Sequence, residues 1–196
     1  MASDRLGRLI VVSGPSGAGK STVLRRLLAS PPPELVPSVS ATTRPPRPGE
    51  VDGVDYHFLT PERFEDLRRS DGFLECFQVF GKDHWYGTPR SEVEPRLAEG
   101  KWVLLEIDVQ GARQVMRDFP DALTIFIQTR DMNELESRLR GRNTETQEHI
   151  RRRLERAREE MAAAGEYDYQ VVNDDVDRAV REIRTILTST EKARDV

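Results

Sequence analysis

Residues 9–28 read Leu9-Ile10-Val11-Val12-Ser13-Gly14-Pro15-Ser16-Gly17-Ala18-Gly19-Lys20-Ser21-Thr22-Val23-Leu24-Arg25-Arg26-Leu27-Leu28, and the order of their chemistry decides the fold. Leu9 to Val12 is the continuous apolar run of a buried strand, while Val23/Leu24 and Leu27/Leu28 recur at the spacing of one helical face. Between them, Gly14 to Ser21 is a complete G-x-x-x-x-G-K-S loop. In that order, backbone N–H groups can wrap phosphate oxygens at a helix N-terminus, where the dipole favours negative charge. Gly14, Pro15, Ser16, Gly17, Ala18, Gly19, Lys20 and Ser21, with Thr22 in the first turn, are therefore the expected triphosphate-binding set. Lys20 would reach the terminal phosphates, and the Ser21 hydroxyl would ligate Mg²⁺. An incidental glycine-rich turn would not need this flanking order.

The whole chain has 196 residues, room for one sizeable α/β domain with a smaller insert rather than two independent domains. It holds no apolar run of the length a membrane helix needs. Met1-Ala2-Ser3-Asp4-Arg5 leads into the first strand without an apolar signal region, which predicts a cytoplasmic protein without membrane association. Cys76 is the single cysteine, so no intrachain disulfide can form, and a small apolar filler in a strand is its expected role. With 30 basic against 34 acidic residues the net charge is −4, which argues against a nucleic-acid partner.

Beyond the first helix, Pro31-Pro32-Pro33 is a stop, and Leu35 to Ser40 reads as a short strand entering a polar loop at 41–50. Residues 54–59, 73–80 and 84–88 are expected strands around a helix starting near Pro61. The segment 34–90 is thus β-rich inside an otherwise alternating chain. Alternation resumes with a helix from Ser91 to Glu99 ending at Gly100, and a near-continuously apolar strand from Trp102 to Asp108, as in a buried parallel sheet. A helix at 110–118, a strand at 123–128 and a helix at 132–140 follow. Thr144 and Gln147 form a capping-box pattern opening a helix that runs to Ala164. A strand at 169–172 and a helix at 176–188 complete the pattern. The expected architecture is a three-layer α/β fold with a parallel sheet: a core of residues 1–33 and 91–196 and an inserted module at 34–90, together one unit.

A phosphate loop serves GTPases, ATPases, transporters and kinases alike. The nearest string to a GTPase guanine element, Asn173-Asp174-Asp175, lacks its lysine, and the glycine loop and catalytic loop of protein kinases are different motifs. The loop at 40–56 divides the remaining classes. Arg44 and Arg47 lie three residues apart in a proline-stiffened segment, with Tyr56 beyond. Two guanidinium forks and a phenol suit a phosphate monoester dianion. A solvated basic loop is the alternative, but solubility alone does not require prolines that limit loop entropy. Asp108, at the end of an apolar strand, suits hydrated Mg²⁺ contacted through water; capping the strand is the alternative.

The stretch Ser38-Val39-Ser40-Ala41-Thr42-Thr43-Arg44-Pro45-Pro46-Arg47-Pro48-Gly49-Glu50, with Tyr56, resembles the acceptor segment of the guanylate kinase family. The likeness continues, in order, through Phe73-Leu74-Glu75, Trp85-Tyr86-Gly87-Thr88, Leu105-Glu106-Ile107-Asp108-Val109-Gln110-Gly111, Arg138-Leu139-Arg140-Gly141-Arg142, Thr144-Glu145-Thr146 and Val172-Asn173-Asp174-Asp175. It implies a P-loop kinase core with an inserted β-rich GMP-binding module and a helical lid at about 138–153. It implies that Arg44, Arg47, Tyr56 and Tyr86 hold the GMP phosphate and that Ser40, Glu75, Thr88 and Glu106 surround the guanine. Guanine offers N1–H and an amine to a carboxylate and O6 to a hydroxyl, whereas adenine would leave such partners unpaired, at roughly 1–3 kcal/mol each.

By the same resemblance, Arg138, Arg142 and Arg153 are lid arginines that neutralise the transferring phosphoryl group, and Asn173 contacts the adenine of ATP. Arg151, Arg152, Arg156 and Arg158 read as a solvated helical face. Three departures stand out: a longer connection between Gly81 and Tyr86, Glu106 where relatives often carry Asp, and Asn143 in place of a glycine. The implied reaction is in-line transfer from ATP to GMP, with Mg²⁺ bridging ATP phosphates and closure of module and lid excluding water. A related kinase of another small phosphate acceptor is the second reading. A non-catalytic interaction module of the same fold is the third, and it does not account for the intact phosphate loop. Monomer and homo-oligomer are both compatible with the sequence.

Overall fold

A computed structural model of the chain describes residues 7–78, 84–140 and 147–192. The elements in order are β1 (Arg8–Ser13), α1 (Lys20–Leu28), β2 (Leu35–Pro37), β3 (Ala41–Thr42), β4 (His57–Phe58), α2 (Pro61–Arg69), β5 (Phe73–Gln78), β6 (Trp85–Pro89), α3 (Arg90–Ala98), β7 (Trp102–Glu106), α4 (Val109–Asp118), β8 (Leu123–Gln128), α5 (Met132–Arg140), α6 (Gln147–Ala162), a 3₁₀ turn at Ala163–Glu166, β9 (Tyr169–Val172) and α7 (Val176–Lys192). One sheet has the strand order β2-β7-β1-β8-β9, with β2–β7 and β8–β9 parallel. A second sheet runs β4-β3-β6-β5. The α/β class with a parallel sheet is as expected.

The chain divides into two compact units. The first takes in the chain up to Ile10, Glu34–Leu105 and Gln110–Ala122; the second takes in Val11–Pro33, Glu106–Val109 and the chain from Leu123 onward. The expected 34–90 module lies inside the first unit, which also includes α3 and most of β7 and α4.

In the first unit, the second sheet is antiparallel at β3–β6 and β5–β6 and parallel at β3–β4. Period-2 alternation sorts its side chains. Ala41, Phe73, Cys76 and Trp85 pack with Phe64 of α2, the Phe64 and Phe73 rings stacking at 4.4 Å. Cys76 is thus the apolar filler expected, and burial and the nearby Glu75 charge push its thiol pKa up. Helix α2 starts where Thr60 Oγ1 accepts from Arg63 N–H, with Pro61 at the first helical position. The strand expected over 54–59 shrinks to His57–Phe58. Residues 51–56 instead form a tight turn in which Gly53 N–H donates to Tyr56 O at 2.8 Å and Asp55 N–H to Val51 O at 3.0 Å.

In the second unit, the buried core combines Val23, Leu24 and Leu27 of α1, Leu123 to Ile127 of β8, Val171 of β9, and Ala179, Ile183 and Leu187 of α7. Leu135 and Leu139 of α5 pack with Leu154 and Ala157 of α6. Helix α6 ends at Ala162, not Ala164, because the chain tightens into the 3₁₀ turn; Thr144 of the expected capping box lies outside the described residues.

Candidate active site

The phosphate loop connects β1 to α1, with Gly19 capping the helix at φ 84°. Gly14 has φ 141°, and a Cβ there would collide with the Ile127 carbonyl oxygen, so the turn out of β1 tolerates only hydrogen. Lys20 Nζ donates to Gly14 O at 2.5 Å and Pro15 O at 3.2 Å, folding the ammonium back over the loop. Burial pushes its pKa below the usual lysine value, while the carboxylates of Glu106, Glu160 and Asp108 act to raise it and Arg156 to lower it.

Polar side chains surround this loop. Ser21 Oγ donates to Glu106 Oε1 at 2.6 Å. Ile107 N–H donates to Val12 O at 3.2 Å, which seats the end of β7 beside the strand that feeds the loop. Asp108 Oδ2 accepts from Arg156 Nη2 at 3.1 Å, and Glu160 Oε1 from Arg156 Nε at 2.8 Å. Glu160 Oε2 accepts from Ser16 N–H at 3.1 Å, and Arg153 Nη2 donates to Ser16 Oγ at 3.0 Å. Arg138 donates to Ala18 O at 3.2 Å, Asn173 O at 2.6 Å and Glu134 Oε1 at 2.5 Å. Asn173 is buried; its Nδ2 donates to Ala18 O at 2.7 Å, while Oδ1 has no hydrogen-bond partner among the described residues.

In the first unit, Arg44 sits in an aromatic and acidic cage. Its Nη1 and Nη2 donate to Glu50 Oε2 and Oε1 at 2.8 and 2.9 Å, a bidentate pair, and its Nε to Tyr86 OH at 3.2 Å. The guanidinium carbon lies 5.3 Å from the Tyr56 ring centre and 5.7 Å from that of Phe58. Glu50 also accepts from Arg47 N–H at 2.7 Å; the Arg44 fork and that amide hold its carboxyl down at about 2. The Arg47 side chain is exposed. On the sheet face opposite Cys76, Glu75 is 1% exposed and its Oε1 accepts from the buried Thr88 Oγ1 at 2.6 Å, across a paired position of β5 and β6. A Cβ on Gly111 would lie 2.7 Å from Glu75 Oε2, so the first turn of α4 comes directly against this carboxylate. Ser40 precedes β3, its carbonyl accepting from His57 N–H at 2.9 Å.

The structure therefore brings Arg44, Tyr56 and Tyr86 together, pairs Glu75 with Thr88, and gathers Lys20, Ser21, Arg138, Arg153, Asn173 and Asp108 around the loop. Arg142 and Asn143 lie outside the described residues, as do Lys82 and Asp83 of the long connection. Arg151, Arg152 and Arg158 are exposed as expected, but Arg156 is not part of a solvated face: it bridges Asp108 and Glu160. Glu106, grouped with the guanine set by resemblance, belongs to the loop's unit and holds Ser21. Glu50 and Glu160 escaped the sequence reading. The one available signal was the i, i+4 spacing of Arg156 and Glu160. The Ser21 hydroxyl with two carboxylates is a hard oxygen donor set that fits a hydrated Mg²⁺. No group of three or more His, Cys, Asp or Glu able to hold a metal occurs among the described residues. Among the described residues no helix is long and apolar enough to cross a membrane.

A family model described as guanylate kinase matches residues 6–190 of the chain. The guanylate kinase of Rhodopirellula baltica is 50% identical over 187 residues, 95% of this chain and 90% of that protein. That of Nostoc sp. is 50% identical over 181 residues, 92% of this chain and 89% of its own length. The crystal structure of guanylate kinase from Anaplasma phagocytophilum matches with a TM-score of 0.78 at 34% identity, covering 97% of this chain and 89% of that one.

Proposed function

The chain belongs to the guanylate kinase family, and from that premise we propose how it carries out ATP-dependent phosphorylation of GMP to GDP. It is an enzyme of phosphoryl transfer. A phosphate oxygen of GMP attacks the γ-phosphorus of ATP in line, the bond to the bridging oxygen breaks, and ADP leaves with that oxygen. No enzyme nucleophile is needed, so the protein's work is positioning and charge stabilisation.

The observation that carries the acceptor assignment is the buried Glu75–Thr88 pair, a carboxylate and a hydroxyl in the polarity that guanine demands. Ser40 adds a further hydroxyl at the base. Arg44, Arg47, Tyr56 and Tyr86 take the GMP phosphate, with Arg44 releasing Glu50 to do so. Gly14 to Thr22 take the ATP phosphates. Lys20, Arg138 and Arg153, together with Arg142, spread the charge of the moving group. Asn173 takes the adenine through its open acceptor. Ser21, with Glu106 and Asp108 acting through water, would hold Mg²⁺, which neutralises charge on the ATP phosphates. Glu106 is thereby assigned to the metal side in place of the guanine set, because its carboxylate is 2.6 Å from the Ser21 hydroxyl.

A coupled assay with ATP and Mg²⁺ against GMP, AMP, dTMP and ribose bisphosphates tests the reading. GMP alone is expected to support rapid turnover; preference for another acceptor would overturn it. Lys20→Ala is expected to cut kcat roughly 10²–10³-fold, the scale of losing one fixed donor to developing charge. Its circular dichroism should stay that of the parent, and near-parental turnover would remove Lys20 from the chemistry.

A further inference from the structure

Ser16, the third residue of the phosphate loop, is held twice by one helix. Its N–H donates to Glu160 and its Oγ accepts from Arg153, both on α6. Glu160 is 9% exposed, and a buried carboxylate is costly unless each oxygen finds a donor. Here Oε2 takes the Ser16 N–H and Oε1 takes Arg156 Nε, while the other arm of Arg156 reaches Asp108. A continuous polar chain therefore runs Ser16 N–H, Glu160, Arg156, Asp108, linking the loop to α6 and to the second residue after β7. None of the arginines that the family resemblance singled out supplies the Arg156 link.

We propose that Glu160 and Arg156 are a positioning pair that fixes the phosphate loop at Ser16 for phosphoryl transfer. The inference rests on the ATP-binding reading of the loop. The fork of Arg156 is the working feature, because only a planar guanidinium can satisfy two carboxylates from different segments at once. Without it, Glu160 keeps one partner, the Ser16 N–H loses its fixed acceptor, and the loop's first turn loses its register against α6. Both residues act through the loop and neither touches the reacting atoms.

The test uses the full chain with Glu160→Gln, Arg156→Met, Arg156→Lys and the Glu160→Gln/Arg156→Met double variant. Each single variant is expected to lower kcat roughly 10- to 100-fold, as for a reacting group displaced by a fraction of an ångström to an ångström, with the KM for GMP within about twofold. Affinity for a fluorescent ATP analogue should fall in parallel, while that for GMP alone should not. Arg156→Lys should behave like Arg156→Met, since it restores charge without the fork, and the double variant should lose no more than the worse single one. Arg156 is partly exposed, so its variants give the answer even if Glu160→Gln does not fold. Parental kinetics and analogue affinity in the Arg156 variants would overturn the proposal, as would equal losses of GMP and ATP affinity, or full activity in Arg156→Lys. If the parent chain binds the ATP analogue but does not phosphorylate GMP, the function reading fails while the affinity arm still decides this one.

Discussion

Arg44, assigned above to the acceptor phosphate, already has all three guanidinium nitrogens engaged: Nη1 and Nη2 on Glu50, Nη1 also on Pro45 O, and Nε on Tyr86. Glu50 is therefore an ionised carboxylate far below its usual range, at about 2 against 4.5. A depressed acid stabilises the fold fully above its unfolded value and loses that contribution as pH falls through its folded one. The difference in melting temperature between the parent and Glu50→Gln should accordingly be flat above about pH 5 and shrink between there and about pH 2. Acid melts followed by circular dichroism check this; a difference that persists undiminished at pH 2 would mean the carboxylate charge is not its source. Arg44 stood out in the sequence because two arginines among prolines suit an anion, and the structure gathers Tyr56 and Tyr86 around it. Glu50 was not, because a glutamate after Pro-Gly reads as solvated, and only the turn that returns it to Arg44 makes it a partner.

At the scale of elements, the strands and helices with strong periodicity, such as β8 and α5, fall where the pattern puts them. Residues 54–56 do not join a strand, because backbone hydrogen bonds within the 51–56 turn take the amides a ladder would need. The contact of α4 with β5 was equally hidden: Gly111 looks like an ordinary early-helix glycine until the Glu75 carboxylate is placed against it. Gly111→Ala should push that carboxylate away and raise the KM for GMP roughly tenfold, with the KM for ATP unchanged. Steady-state kinetics in each substrate decide the matter, and an unchanged GMP KM would remove Glu75 from guanine recognition.

For the whole molecule, the loop–helix chemistry of Ser16 and Glu160 lies 144 residues apart in sequence, and no local pattern encodes a pairing of that range. Local pattern reads out elements; tertiary folding chooses which carboxylate meets which amide. The chain divides into two units, one carrying the phosphate loop and the other Arg44 and Glu75, so the proposed assignment gives each substrate its own reporter. GMP alone should slow amide exchange in β5 and β6, and a non-hydrolysable ATP analogue should slow it at 14–22 and in α6. Each ligand at 100 times its Kd contributes about 2.7 kcal/mol, a rise of about 5–10 °C in Tm for a chain of this size. Exchange followed by mass spectrometry checks the pattern, and protection of the same segments by both ligands would contradict separate sites.

If Arg44 takes the GMP phosphate as proposed, the carboxylate it already clasps would also set an entry threshold against the ionic background of a cell. Chloride or sulfate arriving at this fork must evict a bidentate, covalently tethered anion, and a small free ion brings no base or ribose contacts to offset that eviction. A nucleotide does. On the proposed acceptor assignment Glu50 would act as a filter for the rest of the ligand, and sulfate should compete with GMP more strongly in Glu50→Gln than in the parent; equal inhibition constants would show that the fork is open to any anion.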